Sequence, residues 1–296
     1  MTDADYRAAV DTILTGQRVT TASTDKFAAH YTKADMPRIW LESRAANCMR
    51  QYDGDYMNDP DEGRYVVEVM IRAAQKSSHQ QKGAFVERLT ELRSSRLLYS
   101  GYRKCTFLSC WTTTKVKAGE EKASDSLNHW RFYGGDGEGA CVMVPLANLL
   151  PVFPDQLYRV CYGIEARGGG LAASNRPVRQ FEEVFKDRLN DLRKSYPNAM
   201  ADLDEMLEAT HPLVFLFKST EYAAEGEVRS VVHKDDYANV SGVKFDDRDP
   251  KRAYVQSNAG VISDGSIIYF GPKANPNYAI EAMGLAADLG VSVRSL

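Results

Sequence analysis

The sequence reads Ala224-Glu225-Gly226-Glu227-Val228-Arg229-Ser230-Val231-Val232 where charged residues alternate and then give way to a β-branched run. Alternate residues of a strand point to one side of a sheet, so this spacing predicts that Glu225, Glu227 and Arg229 share a face. Neighbouring carboxylates repel each other unless a cation or a ligand compensates, and Arg229 is the nearest candidate cation. Alternating charge is also typical of a solvated sheet face, so the stretch alone is compatible with a site or with an ordinary surface.

The segments around this stretch combine strand-like and helix-like patterns. Short apolar runs predict strands, and amphipathic spacing predicts helices between them. The strands gather in the middle and at the end of the chain and do not alternate strictly with helices. This distribution predicts an α+β protein with a mixed or antiparallel central sheet flanked by helices. The predicted strands lie at 105–111, 139–144, 157–162, 227–232, 267–270 and 291–293.

Length and composition set the class of protein. The 296 residues are 44% apolar, enough for a sizeable core. We expect an N-terminal helical appendage at 1–37 and a single α+β domain at 38–296, with an inserted helical segment at about 164–210. The net charge of −3 gives no global sign of a nucleic-acid or acidic-membrane partner.

The N-terminal sequence and the cysteines indicate the cellular compartment. The N-terminus lacks a basic start followed by an apolar run, and no apolar stretch has transmembrane length, so we expect a cytoplasmic protein without a membrane partner. The five cysteines show no C-x-x-C spacing and are expected to be reduced, which also favours the cytosol. The scattered histidines show no zinc signature, so no metal site is predicted.

A second block, residues 127–142, combines aromatic side chains with a glycine-rich turn. Trp130 and Tyr133 lie three residues apart and therefore on one face of a predicted helix, where core packing would also explain them. Arg131 and His129 leave on other faces. The glycines lead from a helix into a strand, the reverse of the order in a dinucleotide-binding fingerprint, so a Rossmann site is rejected.

Six short motifs follow one another along residues 38–296. They are Asn58-Asp59-Pro60, the strand ending in Ser109, Trp130-Arg131-x-Tyr133-Gly134, Gly139-Ala140-Cys141-Val142, Glu225-x-Glu227-x-Arg229 and Ile268-Tyr269-Phe270-Gly271-Pro272-Lys273. In this order the chain resembles the bacterial "domain of unknown function 2971" family. Two features depart from the family pattern. Only the last serine of a Ser-Phe-Ser element is matched in Phe107-Leu108-Ser109, and the segments 115–122 and 164–210 are longer.

The order of these motifs also looks like that of an ADP-ribosyltransferase, which implies NAD as the substrate. On this resemblance Glu227 is the catalytic carboxylate, which stabilises the oxocarbenium-like centre formed when nicotinamide leaves. Glu225 positions or deprotonates the acceptor. Ser109 buttresses Glu227, and Tyr133 or Trp130 stacks on nicotinamide.

The resemblance assigns the arginines less sharply. Arg131 is the expected pyrophosphate ligand, with Arg44 as a substitute, although an exposed helical arginine is an equally ordinary feature. Arg229 binds phosphate or keeps Glu227 ionised. Asn58 is a candidate NAD-binding residue, and an Asx turn also explains it.

Two other functions stay open from the sequence. A nucleic-acid-processing toxin or nuclease is suggested by a basic stretch with interleaved tyrosines, which is also typical of a solvated helix face. A non-catalytic nucleotide-sensing or partner-binding domain would use the same cleft without turnover. The leading expectation is a toxin or antiphage defence effector that modifies a protein or a nucleic acid and has a possible inhibitory partner protein. The basic stretch comprises Arg88, Arg93, Arg96, Arg103 and Lys104, with Lys115, Lys117 and Lys122 beyond it.

Overall fold

The protein is built around a ten-stranded sheet. The computed structural model describes residues 1–21, 27–42, 48–57, 62–94, 105–114, 127–164, 176–192, 198–234 and 242–296. The strands are β1 (Phe27–Thr32), β2 (Cys48–Asp53), β3 (Cys105–Thr114), β4 (Ala140–Pro145), β5 (Leu157–Arg159), β6 (Cys161–Ile164), β7 (Phe217–Ser219), β8 (Glu227–Lys234), β9 (Lys244–Phe245), β10 (Ala253–Gly260), β11 (Ile267–Phe270) and β12 (Ser292–Ser295). The α-helices are α1 (Asp3–Gln17), α2 (Met36–Glu42), α3 (Tyr65–Lys76), α4 (Lys82–Ser94), α5 (Leu127–Phe132), α6 (Leu146–Leu149), α7 (Arg176–Asp191), α8 (Asn198–Thr210) and α9 (Pro276–Ala286).

The sheet is mixed but mostly antiparallel. Its order is β12-β11-β4-β1-β3-β2-β10-β9, and β8 pairs with β3 on one side and β5 on the other. Within the described residues only β11 and β12 run parallel in this sheet, and β6 and β7 form a separate parallel pair. The α+β prediction with a mixed or antiparallel central sheet flanked by helices is therefore confirmed.

Strand β3 lies at the centre, and two strands share one of its edges. β1 pairs with the C-terminal end of β3, with Ala29 opposite Thr112. β2 pairs nearer the N-terminal end of β3, with Tyr52 opposite Leu108. We call this divergence the fork. At the fork the carbonyl oxygen of Cys110 accepts a hydrogen bond from Nδ1 of His30 at 2.9 Å. A side chain therefore satisfies a backbone group of β3 where the two strands separate.

Helices cover both faces of the sheet. One face carries Leu108 and Val231 and packs beneath α1, α3, α7 and α8. The other carries Trp111 and Val228, which pack with α2 and α9. Trp111 is fully buried, with its ring edge-on to Phe153 at 6.4 Å. Burying a large apolar side chain in this way contributes about 1.5–3 kcal/mol, so both layers hold the central strands in place.

The N-terminal segment is part of this architecture, which corrects the expected appendage at 1–37. β1 lies between β3 and β4, and the hydroxyl of Tyr6 on α1 lies 2.7 Å from Thr210 Oγ1 on α8. The sequence Phe27–Thr32 hides its strand character, because its small and polar residues lack the β-branched run that marks the other strands. The predicted helical segment at about 164–210 contains α7 and α8.

Throughout the described ranges, no helix combines the length and the apolar character needed to cross a bilayer.

Candidate functional site

A buried ion pair on β8 is the centre of the candidate site. Glu227 and Arg229 lie on the same face, as the alternation predicts, and Arg229 Nη2 donates to a carboxylate oxygen of Glu227 at 2.7 Å. Arg229 Nη1 donates to the Phe215 carbonyl at 2.6 Å and to the carboxylate of Glu62. All three charged side chains are buried, and Arg229 is fully so. Charges removed from water in this way must be paired, so Arg229 fixes both carboxylates.

A second buried cation, Lys218 at the middle of β7, joins this pair to Glu225. Lys218 Nζ lies 2.7 Å from Glu225 and 3.3 Å from Glu227, and 4.0 Å from Glu62. It also lies 4.6 Å from the centre of the Tyr222 ring, within the range of a cation–π contact. Three carboxylates therefore surround two cations. We call these five residues the charge cluster: Glu62, Lys218, Glu225, Glu227 and Arg229.

The charge cluster separates the proton affinities of its carboxylates. Burial by itself would raise the pKa of Glu227, but Arg229 and Lys218 outweigh burial and lower the pKa to about 2. Burial raises the pKa of Glu62, and Arg229 offsets this only in part. Burial would lower the pKa of Lys218, yet Glu227 and Glu62 raise it. Glu227 is thus a fixed carboxylate and Lys218 a fixed ammonium at neutral pH.

The backbone at Glu225 differs from the prediction. Glu225 is the last residue of the 3-10 helix Thr220–Glu225, and β8 begins at Glu227. Gly226 between them has φ +54°, a left-handed conformation that glycine adopts without strain. Glu225 therefore does not share the face of a strand with Glu227. Its carboxylate reaches the same ammonium by another route.

Tyr133 stands over Glu225, and we call it, with the exposed Arg131 on α5, the rim of the site. Tyr133 is 42% exposed, and its hydroxyl donates to the Glu225 carboxylate at 3.1 Å. Burial of the hydroxyl end and the charge of Glu225 raise the pKa of Tyr133, so it stays protonated. Trp130 is buried instead, with its ring perpendicular to Tyr31 at 5.1 Å. Of the two predicted stacking residues, only Tyr133 offers a ring that a ligand can reach.

Ser109 lies on the opposite face of the sheet from Glu227, which corrects its predicted buttressing role. In the antiparallel register of β3 and β8, Ser109 is opposite Ser230, and Thr112 is opposite Glu227. The Ser109 hydroxyl lies 2.5 Å from that of Ser230 and accepts from Trp111 Nε1 at 3.1 Å. Directly opposed residues share a face, so Thr112 stands where the resemblance places the serine.

Thr112 has a partner on α5 that the sequence left without a role. Oγ1 of Thr112 lies 3.0 Å from Nε2 of His129. The His129 imidazole is buried and stacks on Tyr31, with ring centres 5.2 Å apart and planes at 18°. Burial lowers the pKa of His129, and Glu225 and Glu227 offset this only in part.

Two residues of the site wall approach Glu227 from other strands. The Cys110 thiol on β3 is buried beside Glu227, and burial followed by the charge of Glu227 raises the pKa of this thiol well above its usual range. The Tyr162 hydroxyl on β6 accepts from the Glu227 backbone N–H at 2.8 Å. The Tyr162 contact therefore satisfies the first backbone N–H of β8 and fixes the position of Glu227 at the start of the strand.

The remaining predicted NAD-binding residues do not join the charge cluster in the described structure. Arg131 is exposed on α5. Its charge, after the stronger effect of Lys273, contributes to lowering the pKa of Asp136. Arg44 and Asn58 lie outside the described residues.

Several site residues were not identified from the sequence, and only Glu62 and Lys218 had a local signal. Glu62 follows Asn58-Asp59-Pro60 closely and was treated as part of a turn. Lys218 is a lone charge at the end of the apolar run Leu213–Phe217, where an unpaired lysine would be costly to bury. Thr112, Cys110 and Tyr162 carry no charge pattern. Their roles depend on strand register, which their own segments do not specify.

The described part of the basic stretch is neutralised within the protein. Arg88 on α4 lies 3.7 Å from Asp204 and 4.0 Å from Glu91, and Arg93 pairs with Glu68. Arg96, Arg103 and Lys104, and the lysines at 115, 117 and 122, lie outside the described residues. Paired surface arginines are ordinary, so this helix face gives little support to a nucleic-acid interface.

No family model, curated protein or solved structure matched the chain. In the parts of the chain that the structure describes, no three histidine, cysteine, aspartate or glutamate side chains group in a way that could hold a metal ion. The geometry of the charge cluster is therefore the main guide to the chemistry of the site.

Proposed function

We propose that the cleft over the charge cluster binds NAD and transfers its ADP-ribosyl group to a macromolecular acceptor. One observation carries this proposal: Glu225 and Glu227 are both held on the Lys218 ammonium, beneath the exposed ring of Tyr133. Paired carboxylates beside an accessible aromatic ring suit a reaction that breaks a glycosidic bond to a flat, positively charged ring, which leaves as a neutral molecule.

The chemistry assigns each carboxylate a task. When the bond between nicotinamide and ribose breaks, its electron pair goes to the nicotinamide nitrogen and positive charge develops on the sugar. Glu227, ionised because of Arg229 and Lys218, would hold the ribose 2′-hydroxyl and stabilise that charge. Glu225, nearer the surface, would orient the acceptor. Arg229 keeps Glu227 ionised and does not bind phosphate, because its guanidinium is enclosed by Glu62, Glu227 and Phe215.

The rim would bind the nicotinamide ring and the pyrophosphate of NAD. Tyr133 would stack on nicotinamide, because its ring is accessible and its hydroxyl is fixed on Glu225. Arg131, exposed on α5 two residues before Tyr133, is the proposed pyrophosphate ligand, with Arg44 as the substitute. Asn58 stays a candidate NAD-binding residue. We propose no role in this chemistry for Ser109.

The biological setting is part of the proposal. We propose a toxin or antiphage defence effector that acts in the bacterial cytoplasm on a protein or a nucleic acid, with activity held in check by an inhibitory partner protein. This rests on the family resemblance and on how such activities are commonly used, so it is an analogy at the level of fold. Paired arginines on α4 make a nuclease the weaker alternative.

The test is the release of nicotinamide from NAD by the purified protein, with and without cell lysate. Glu227→Gln should lose about 100- to 1000-fold in rate, the usual cost of removing a transition-state contact. Glu225→Gln should reduce transfer to the acceptor more than NAD binding. Glu221→Gln is the matched control, because Glu221 is an exposed carboxylate on the same 3-10 helix.

The outcomes separate the candidate functions. Release that depends on Glu227 and increases with lysate supports transfer to a macromolecule. NAD binding by calorimetry without release indicates a sensor domain instead. If the wild-type protein neither binds NAD nor releases nicotinamide, the proposal is wrong. Thermal unfolding of Glu227→Gln, measured in parallel, distinguishes lost chemistry from lost folding.

A further inference from the structure

The pair formed by Thr112 and His129 resembles an activated hydroxyl with its base. The 3.0 Å distance between Thr112 Oγ1 and His129 Nε2 is a hydrogen bond, and stacking on Tyr31 fixes the orientation of the imidazole. A hydroxyl within hydrogen-bond reach of an imidazole that a third group orients is the usual arrangement for moving a proton. Thr112 also stands directly opposite Glu227 across the strand pair, so the hydroxyl faces the proposed reaction centre.

Both carboxylates of the site already accept hydrogen bonds from fixed donors. One oxygen of Glu225 accepts from Lys218 and the other from Tyr133. The pKa of Glu227 is lowered to about 2, and a general base works best when its pKa lies near the working pH, so Glu227 is a poor base at neutral pH.

We propose that Thr112 and His129 form a proton relay that deprotonates the acceptor in the transfer reaction. This inference rests on the proposed function and replaces Glu225 as the base. As the acceptor oxygen bonds to C1′ of the ribose, its proton passes to Thr112 Oγ. The Thr112 proton passes to His129 Nε2, and nicotinamide leaves with the electron pair of the broken bond. The proton is later released from His129 to water, so no further reactant is needed.

The surroundings of His129 fit this role. The groups facing it are Tyr31 from β1, Thr112 from β3, Tyr133 from the turn after α5, Glu225 and Glu227, and Lys218 from β7. Burial has the largest effect and lowers the pKa of His129 below its usual value near 6.5, so the imidazole is neutral at neutral pH. The two carboxylates would stabilise the imidazolium once it forms. Activity should therefore rise with pH through the His129 pKa and level off by neutral pH.

The test uses NAD hydrolysis in buffer, where water is the acceptor and no unknown partner is needed. Thr112→Val and His129→Ala should each lose about 100-fold or more in rate, within the range of general-base catalysis, while NAD affinity stays within about twofold. Thr112→Ser should keep most of the activity. His129→Asn should have a flat pH profile below neutrality. His79→Asn is the matched control, since His79 is also buried but lies outside the charge cluster and its rim.

A chemical rescue separates the relay from a structural role. Added imidazole should restore activity to His129→Ala but not to the double variant that also carries Thr112→Val, because the relay needs the hydroxyl. If the wild type is active and His129→Ala is equally active with an unchanged pH profile, the relay is wrong and the proposed function is unaffected. A wild type that neither binds nor cleaves NAD overturns both. Folded variants that lose activity without imidazole rescue or a change in pH profile also overturn the relay.

Discussion

Arg229 and Glu227 lie two residues apart on one strand and form a 2.7 Å hydrogen bond in which the guanidinium is fully buried. The alternating side chains of a strand place them on one face, and the protein core closes over them. Desolvating such a pair is costly, and hydrophobic residues of similar volume often serve stability equally well. We therefore interpret the pair as a means of keeping Glu227 ionised.

The first prediction concerns the buried guanidinium. Arg229→Met should lower the free energy of unfolding by about 3–5 kcal/mol, because Glu62 and Glu227 would lose their closest cation and keep only the longer contacts to Lys218. Urea denaturation measures this directly. Arg131→Met is the matched control, since Arg131 is exposed and its loss should stay within about 0.5 kcal/mol. A loss below about 1 kcal/mol for Arg229→Met would show that the carboxylates find other partners.

The second prediction concerns acid. The folded pKa of Glu227, about 2, lies below the ordinary value of 4.5, so its stabilising contribution is present above pH 4.5 and is lost as the pH falls towards 2. The shift corresponds to about 3 kcal/mol, and Glu227→Gln should lack this part of the acid sensitivity. Urea unfolding of both proteins at a series of pH values measures the difference.

Glu62 supplies an internal comparison for the same series. Its pKa is raised by burial, so its contribution has the opposite sign and declines as the pH rises through the folded value. Glu62→Gln should therefore remain sensitive to acid. Equal acid sensitivity of the wild type and Glu227→Gln would contradict the lowered pKa of Glu227.

The third prediction tests the face of the sheet on which Ser109 lies. Ser109→Ala should leave NAD affinity and turnover unchanged, because Ser109 contacts Ser230 and Trp111 on the face opposite Glu227. It should cost about 1–3 kcal/mol in stability, since the buried Trp111 N–H loses its acceptor. Calorimetry with NAD and urea denaturation give the two readings. Loss of turnover at full stability would restore the buttressing role and count against the register of β3 and β8.

The fourth prediction separates the ring of Tyr133 from its hydroxyl. Tyr133→Ala should weaken NAD binding by about tenfold, the lower end of what stacking on a base contributes, whereas Tyr133→Phe should bind nearly as well. Phe132→Ala is the control, because Phe132 is the adjacent residue and is 74% exposed. Titration calorimetry measures all three. Equal losses from Phe132→Ala and Tyr133→Ala would indicate a nonspecific effect on α5.

Much of the architecture could be predicted because it depends on local patterns. The β-branched run at 228–232 and the amphipathic spacing of α7 each reflect burial of one side of an element, which short segments encode. β1 escaped prediction for the same reason. Ala28 and Ala29 are buried in a central strand, but alanine carries no strand preference, and only the neighbours β3 and β4 make the segment a strand.

The site was predictable only where its residues adjoin in sequence. Glu227 and Arg229 form a local pattern, so their shared face could be inferred. Ser109 required the register of β3 against β8, and a shift of one residue would have placed it on the face of Glu227. Glu62 reaches the cluster from a segment 167 residues before Arg229, which no local pattern specifies. Lys218 lies only seven residues before Glu225, but its contact depends on the 3-10 helix between them.

The pairing of β3 on both edges, with β1 and β2 at the fork and with β8 opposite, determines when the site can assemble during synthesis. β3 pairs with β1 and β2, which precede it in the chain, but its other edge is completed by β8, which is synthesised more than a hundred residues later. Such non-local pairings form late, because the loop between them must first close. Glu225, Glu227 and Arg229 can therefore meet Glu62 only after β8 has been synthesised. A chain that has not yet reached β8 has no charge cluster, so whatever chemistry the cluster supports can begin only after that point in synthesis.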